Sequence, residues 1–240
     1  MADRLIFKRN ELSRFCRWNG DLVGQKARRV VLEFQGLNRC QMVDQPSPLE
    51  LELGDRNVIY VIPYTAPWSW MNRAAQIYTD TLVESIFKAL DLDRETPVVS
   101  TGYSMGGQSA LMYTLYGKTR ISACCANSPV CDLMAHFGER EDIPRTLVNA
   151  FAGGLGDLET HLAAHSPLSQ AEKLPDIPYM IVAGDQDRQV DKRVHSDRFV
   201  DRLRQLGRRV RYEELPDMQH WQITDFRVYR AYVDFICGEG

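Results

Sequence analysis

The chain has 240 residues, of which 44% are hydrophobic and 25% are charged, and its formal net charge is −3. This ordinary composition excludes a collagen-like, fibrous or disordered protein. Because the small negative charge provides no broad positive field, we expect no nucleic-acid partner. No stretch approaches the roughly 18 consecutive apolar residues of a transmembrane helix, so we expect no membrane association.

The N-terminus and the cysteines indicate the cellular compartment. The chain is charged from its third residue and lacks the apolar segment of a signal peptide, which predicts a cytoplasmic protein. No two cysteines form a C-x-x-C pair. We therefore expect reduced thiols that fill core space rather than a disulfide framework.

Short apolar runs alternate with longer helical patterns, which is typical of βαβ units and a mostly parallel sheet. Because most runs are almost continuously apolar, we expect helices on both faces of that sheet. The predicted strands are Arg29 to Phe34, Asn57 to Ile62, Thr96 to Thr101, Ile121 to Asn127, Tyr179 to Ala183 and Arg209 to Leu215. Helical periodicity predicts helices within Arg73 to Leu90, Val190 to Leu206 and Phe226 to Ile236.

Residues 128–176, called the cap segment below, interrupt this alternation. They include no obvious strand and contain Pro144, the Gly153-Gly154 pair and Pro167. A connection of this length inside a compact domain is usually functional. We interpret the cap segment as a helical insertion over the end of the sheet, within a single domain spanning residues 1–240.

The third predicted strand leads into a motif typical of a nucleophile. It is followed by Gly102-Tyr103-Ser104-Met105-Gly106-Gly107 and then by a helical stretch. This G-x-S-x-G pattern predicts a sharp strand-to-helix turn that raises the Ser104 hydroxyl above the sheet. Chain segments approach so closely at such a turn that a Cβ atom two residues to either side would collide, which requires glycine. Ser104 is therefore the predicted nucleophile.

A serine hydroxyl needs a base that takes its proton. His220 follows the last predicted strand and is the predicted base. His195, expected on a helix surface as a solvated or capping residue, is the alternative. The remaining three histidines lie in the cap segment, before the acid in sequence: His136, His161 and His165.

The base in turn needs a carboxylate that orients it, and with this turn the acid precedes the histidine in the chain. The strand that begins at Tyr179 ends in Gly184-Asp185-Gln186-Asp187, so both Asp185 and Asp187 are candidates. The acid and the base both follow strands, at the edge where open α/β sheets bind ligands.

These stretches resemble the α/β-hydrolase family, and within it the short members related to prolyl oligopeptidases and dienelactone hydrolases. The resemblance covers most residues from Val30 onward and leaves the first 28 residues without a counterpart. It implies an α/β-hydrolase fold, and it favours Asp187 as the acid, because the family usually places the acid three residues after the glycine. The matching stretches are those around Ser104 and Asp187, the run from Ser166 to Pro178, and Met218-Gln219-His220.

The resemblance also implies an oxyanion hole. Family members usually carry His-Gly after the strand that begins near Val30, and this chain has Gln35-Gly36-Leu37. The glycine is retained, so the backbone can turn toward Ser104. By resemblance, the N–H groups of Leu37 and Met105 form the oxyanion hole.

Aromatic residues surround the predicted site. Trp68 and Trp70 lie in a proline-containing loop after the second predicted strand, Tyr103 precedes the nucleophile, and Trp221 follows the base. If they bind substrate, their flat faces suit aryl groups or sugar rings better than long alkyl chains. The alternative is that Trp68 and Trp70 are buried packing groups.

Together these features predict a serine hydrolase that cleaves small-molecule carboxylic esters through an acyl-enzyme. A peptidase or amidase, an acyltransferase, and a slow-turnover ligand-binding protein are the alternatives. Full oligopeptidases of the family that the chain resembles carry a propeller domain. No such domain is visible in this sequence, which weakens the peptidase interpretation. No metal and no cofactor are expected, because neither H-E-x-x-H nor paired Cys/His spacing occurs and Gly153 to Gly156 lacks the phosphate-loop pattern.

Overall fold

The computed structural model describes residues 5–39 and 45–239, and within them seven strands form one sheet. In chain order the strands are β1 (Cys16–Trp18), β2 (Arg29–Phe34), β3 (Val58–Pro63), β4 (Val98–Tyr103), β5 (Ile121–Asn127), β6 (Tyr179–Gly184) and β7 (Val210–Leu215). Across the sheet the order is β1-β3-β2-β4-β5-β6-β7, and each neighbouring pair is parallel except β1 with β3. The predicted mostly parallel α/β sheet is confirmed.

Nine α-helices occur in the described residues: α1 (Gly20–Val23), α2 (Pro48–Asp55), α3 (Arg73–Ala89), α4 (Met105–Tyr116), α5 (Leu133–Phe137), α6 (Ile143–Phe151), α7 (Leu158–Ala164), α8 (Ser196–Gln205) and α9 (Phe226–Cys237). Short 3₁₀ helices cover Arg9–Arg14, Gly24–Lys26 and Ala171–Lys173. The local sequence determines where several of these helices begin. Ser47 and Glu50 form a reciprocal capping box at α2, and the Asp225 side chain accepts backbone N–H groups at the start of α9.

Successive side chains of the central strands point to opposite faces of the sheet. On β2, Val30 and Leu32 contribute to an apolar cluster that α3, α4 and α8 cover. Val31 contributes to a second cluster on the other face, covered by α2 and α9. Because helices cover both faces, most positions of the central strands are apolar, as the sequence predicted.

Several elements differ from the sequence prediction, which includes neither α1 nor α2. β1 was not predicted, since a three-residue strand is too short to show a period-two pattern. The helix expected from Val190 begins only at Ser196. Before it, the Asp191 carboxylate accepts the N–H of Arg193, a side-chain contact typical of a turn.

Residues 5–28, which had no counterpart in the family resemblance, belong to the main core. Phe7, Leu12, Cys16 and Val23 are buried in the cluster on the α3 face of the sheet. The cysteines among the described residues are buried and free, and Cys40 lies outside the described residues.

The cap segment, which the structure describes throughout, contains α5, α6, α7 and one 3₁₀ helix, and no strand. Its apolar residues form a third cluster that includes Leu133, Ile143 and Phe151 together with Trp70 and Met105 from outside the segment. The start of α4 therefore packs against the cap segment. Across residues 5–39 and 45–239, no helix combines the length and hydrophobicity needed to cross a bilayer.

Candidate active site

Ser104 occupies the sharp turn between β4 and α4, with φ 58° and ψ −126°. A positive φ is sparsely populated by residues other than glycine and persists only where surrounding structure imposes it. Here the Ser104 N–H donates to the Asn127 carbonyl at 2.9 Å. A Cβ atom on Gly102 would lie 2.4 Å from the Gly106 carbonyl oxygen, and one on Gly106 would lie 1.9 Å from that of Phe34. Both glycines are therefore required by close backbone approach.

The structure brings Asp187 and His220 into direct contact. The Nδ1 atom of His220 lies 2.7 Å from Oδ2 of Asp187, whose side chain is almost fully buried. Close approach of two loops makes this possible, because a Cβ atom on Gly184 would lie only 2.1 Å from the Met218 carbonyl oxygen. Asp185 instead points toward Lys192 at 3.4 Å and is about half exposed.

The environment of Asp187 keeps it ionised. Burial opposes the charge, but hydrogen bonds from His220 and from the backbone N–H groups of Gln189 and Val190 hold the pKa of Asp187 below its ordinary value. The two backbone bonds measure 2.8 and 3.0 Å and end on Oδ1, which leaves Oδ2 for the imidazole. An ionised carboxylate at Nδ1 places the imidazole lone pair on Nε2.

Ser104 and His220 line the same cavity of about 180 Å³. Within the described residues no hydrogen bond joins their side chains. Hydrogen bonds of this kind are often long before substrate binds and tighten in the complex. The shared cavity therefore places the serine and the His220–Asp187 pair where a substrate would contact both.

Leu37 and Met105 offer free N–H groups beside this serine. Leu37 lines the cavity, and Met105 is the first residue of α4. In the described part of the chain neither backbone N–H donates a hydrogen bond. The Met105 N–H also belongs to a helix N-terminus, where partial positive charge favours an oxyanion.

The four aromatic residues predicted near the site have different positions. Tyr103 and Trp221 line the cavity with ring centroids 4.9 Å apart. Trp70 also borders the cavity but is buried, and its indole N–H donates to Thr146 at 3.1 Å. Trp68 is not among the lining residues.

Comparison with known protein families decides the classification. The prolyl oligopeptidase family model matches residues 82–238, more than half of the chain, a range that includes Ser104, Asp187 and His220. The chain belongs to the prolyl oligopeptidase family. No curated protein matches the sequence.

Solved structures share the α/β-hydrolase fold of this family member. Pyrococcus horikoshii acylaminoacyl peptidase is 13% identical, with a TM-score of 0.72 over 87% of this chain and 36% of its own. Porphyromonas gingivalis dipeptidyl peptidase 4 is 18% identical, with a TM-score of 0.67 over 87% of this chain and 30% of its own. The S-formylglutathione hydrolase from Agrobacterium tumefaciens is 15% identical, with a TM-score of 0.68 over 88% of this chain and 84% of its own. The chain thus spans about a third of these peptidases and most of the S-formylglutathione hydrolase.

The cavity of this prolyl oligopeptidase family member also contains residues that the sequence analysis did not single out. They are mostly polar and come from the cap segment and two loops: Asn38, Arg39, His136, Arg140, Ile143 and Gln189. The sequence carried a signal for one of them, His136, which lies three positions before Glu139. The loops carry no motif, because only the fold brings them to Ser104.

His195 was expected on a helix surface, and that expectation was wrong. Its side chain is fully buried just before α8. The turns between Val190 and Ser196 fold it against the cap segment, where its Nδ1 accepts the N–H groups of Cys131 and Asp132 at 3.2 Å each. His195 does not line the cavity that contains Ser104.

Proposed function

We propose that this protein hydrolyses small carboxylic esters with Ser104 as nucleophile, His220 as base and Asp187 as the acid that orients it. The supporting observation is the strained turn that holds Ser104 in the same cavity as the hydrogen-bonded His220–Asp187 pair. Strain at a nucleophile is typical of a preorganised site rather than of an incidental turn.

In this mechanism the Ser104 oxygen forms a bond to the ester carbonyl carbon while Nε2 of His220 takes the hydroxyl proton. The resulting oxyanion accepts hydrogen bonds from the N–H groups of Leu37 and Met105. The C–O bond to the alcohol then breaks, and His220 returns the proton to the leaving alkoxide. A water molecule, deprotonated by Nε2 of His220, then attacks the acyl carbon. The bond to the Ser104 oxygen breaks, His220 returns the proton to that oxygen, and the carboxylic acid leaves.

The size of the cavity supports a small ester. Pockets that enclose drug-sized ligands measure roughly 300 to 1,000 Å³, whereas this cavity measures about 180 Å³. Arg140 and Ile143 of the cap segment border it. A short acyl group fits such a space better than an extended peptide.

Peptide or amide hydrolysis is the second candidate, because the family model and the acylaminoacyl peptidase structures point to peptidases. The same residues would act, with His220 protonating a leaving amine. Comparing kcat/KM on p-nitrophenyl acetate and on acetyl p-nitroanilide distinguishes the two activities. A higher value on the anilide contradicts the esterase proposal.

Labelling with a fluorophosphonate tests the nucleophile directly. We expect a single adduct on Ser104, located by mass spectrometry after proteolysis, with loss of ester turnover in proportion to labelling. An adduct on another residue with Ser104 unmodified contradicts the proposal. Prior denaturation provides the control, because an unfolded serine has no base and should not react.

A further inference from the structure

A chain of hydrogen bonds outside the predicted catalytic residues begins at His195. Because Nδ1 of this buried imidazole accepts two backbone N–H groups, it carries no proton. The proton of the neutral ring is therefore on Nε2, which lies 3.1 Å from Oε2 of Glu139. His195 thus donates to Glu139.

The Glu139 carboxylate also determines which nitrogen of His136 carries a proton. Its Oε2 lies 2.6 Å from Nδ1 of His136 as well. Burial opposes its charge, but the hydrogen bonds from His136 and His195 lower the pKa of Glu139 to about 2. An ionised carboxylate only accepts hydrogen bonds, so Nδ1 of His136 carries a proton.

His136 lines the cavity of Ser104, and its remaining ring nitrogen is Nε2. The residue is 2% exposed and lines that cavity, while its ring rests edge-on against Trp70 at 5.8 Å. Burial lowers the pKa of His136, with the Glu139 bond acting in the opposite direction, so the ring is neutral at pH 7. With Nδ1 protonated and the ring neutral, Nε2 carries the lone pair, and within the described residues it makes no hydrogen bond.

The potential ligand atoms of His136, Glu139 and His195 lie within 4.8 Å of one another. The positions of the protons on the two histidines nevertheless argue against a metal ion there. A histidine binds a metal through an unprotonated nitrogen. The lone pair of His195 faces two backbone N–H groups, and its other nitrogen carries the proton. His195 cannot supply a ligand atom toward Glu139 without losing these backbone bonds.

Two amide side chains that line the same cavity favour a ligand that can both donate and accept hydrogen bonds. The Asn38 oxygen accepts the Trp68 indole N–H at 2.6 Å, and the Gln189 oxygen accepts from Arg140 at 3.2 Å. Their NH₂ groups therefore remain as donors to the cavity that they line, together with the arginines there. A hydroxyl group both donates and accepts hydrogen bonds, so it can satisfy His136 and an amide together. An ammonium group cannot accept, and it would lie near arginine side chains.

We propose that His136 is a substrate-binding residue whose Nε2 accepts a hydrogen bond from a hydroxyl group of the ester, so that the protein selects hydroxylated esters. This inference rests on the proposed ester hydrolysis and specifies its substrate class. Glu139 and His195 are positioning residues, since they determine which nitrogen of His136 is protonated. The hydroxyl belongs to the acyl or to the alcohol part of the ester.

Matched ester pairs test this selection and identify the side that carries the hydroxyl. For the acyl side, p-nitrophenyl 3-hydroxybutyrate is compared with p-nitrophenyl butyrate. For the alcohol side, 2-hydroxyethyl acetate is compared with ethyl acetate. We expect kcat/KM to be about tenfold higher for the hydroxylated member of at least one pair, mainly through a lower KM, as one hydrogen bond to a buried group provides.

Two variants of His136 separate binding from packing. Asparagine can keep the bond to Glu139 but does not reach the position of Nε2, whereas glutamine reaches that position with an amide oxygen. We expect His136→Asn to reduce the hydroxyl preference to about twofold or less and His136→Gln to retain part of it. Turnover of the unsubstituted esters should change less than the preference does. His165→Asn, a cap-segment change outside this cavity, should keep the wild-type preference.

The outcomes distinguish this inference from the proposed function. Turnover of unsubstituted esters without a hydroxyl preference, or a preference that survives in folded His136→Asn, overturns the inference alone. If neither member of either pair is hydrolysed, the proposed function fails and the inference fails with it. If His136→Asn does not fold by circular dichroism, His136→Gln decides, since a substrate preference raised or unchanged in that variant also overturns the role of Nε2.

Discussion

The turn that carries Ser104 and the cap segment are built by different means, although both border one cavity. At the turn, close backbone approach at Gly102 and Gly106 and the positive φ of Ser104 determine the geometry. In the cap segment, side-chain hydrogen bonds from His195 through Glu139 determine the state of His136. Under the two proposals above, reaction chemistry depends on a rigid backbone, whereas substrate choice depends on side chains that can change without rebuilding the turn.

Replacing Ser104, the proposed nucleophile, is the strongest test of this separation. We expect Ser104→Ala to lower ester kcat by about 10⁶-fold, because no other group then attacks the carbonyl. Thermal stability should be equal or higher, since the rest of the turn is kept. Steady-state turnover and thermal unfolding measure the two effects, with Ser13→Ala at an exposed site as the control. A residual rate within about tenfold of the wild type contradicts the assignment.

The two aspartates after β6 provide a matched pair. We expect Asp187→Asn to lower kcat by about 10⁴-fold, because an amide at this position no longer stabilises the required His220 tautomer. Asp185→Asn, which loses only a half-exposed contact with Lys192, should retain activity within about threefold. Equal losses in the two variants show that Asp187 has no special role.

The cap segment should respond through stability rather than chemistry. Glu139 has a folded pKa of about 2 against an ordinary 4.5, so its ionisation stabilises the fold above pH 4.5. That contribution is lost as pH falls from 4.5 toward 2. We expect Glu139→Gln to reduce the free energy of unfolding by about 2 kcal/mol at pH 7.

Urea unfolding at pH 7, 5 and 3 measures this effect. The difference in the free energy of unfolding between the wild type and Glu139→Gln should be smaller at pH 3 than at pH 7. A difference that is independent of pH shows that the Glu139 charge does not stabilise the cap segment.

The smallest effect is expected at the tryptophans, where the structure separates two roles. Trp68→Phe removes the indole N–H that holds Asn38, and we expect KM for esters to rise by no more than about threefold with stability unchanged. Trp70→Phe removes a buried bond to Thr146 and should lower the free energy of unfolding by about 1 to 3 kcal/mol. Thermal unfolding and ester kinetics on both variants check these two predictions. A loss of stability in Trp68→Phe, or a rise in KM without loss of stability in Trp70→Phe, contradicts them.

The sequence alone predicted the elements that depend on local patterns. The parallel strands were visible because strands covered on both faces are continuously apolar, and the turn at Ser104 because only glycine tolerates the backbone approach at Gly102 and Gly106. Local pattern failed at β1, which is too short to show alternation, and at the start of α8. The choice between Asp185 and Asp187 needed a family resemblance, because both follow the same strand.

Only the tertiary structure decided which side chains share the cavity. His136 and His195 are 59 positions apart in the sequence, and no spacing rule connects His195 to the His136–Glu139 pair. The burial of His195 likewise depends on a contact with backbone N–H groups of the cap segment, more than 60 residues away in the chain. Protonation states in this cavity follow from such contacts, because each imidazole can donate only from the nitrogen that its neighbours leave protonated.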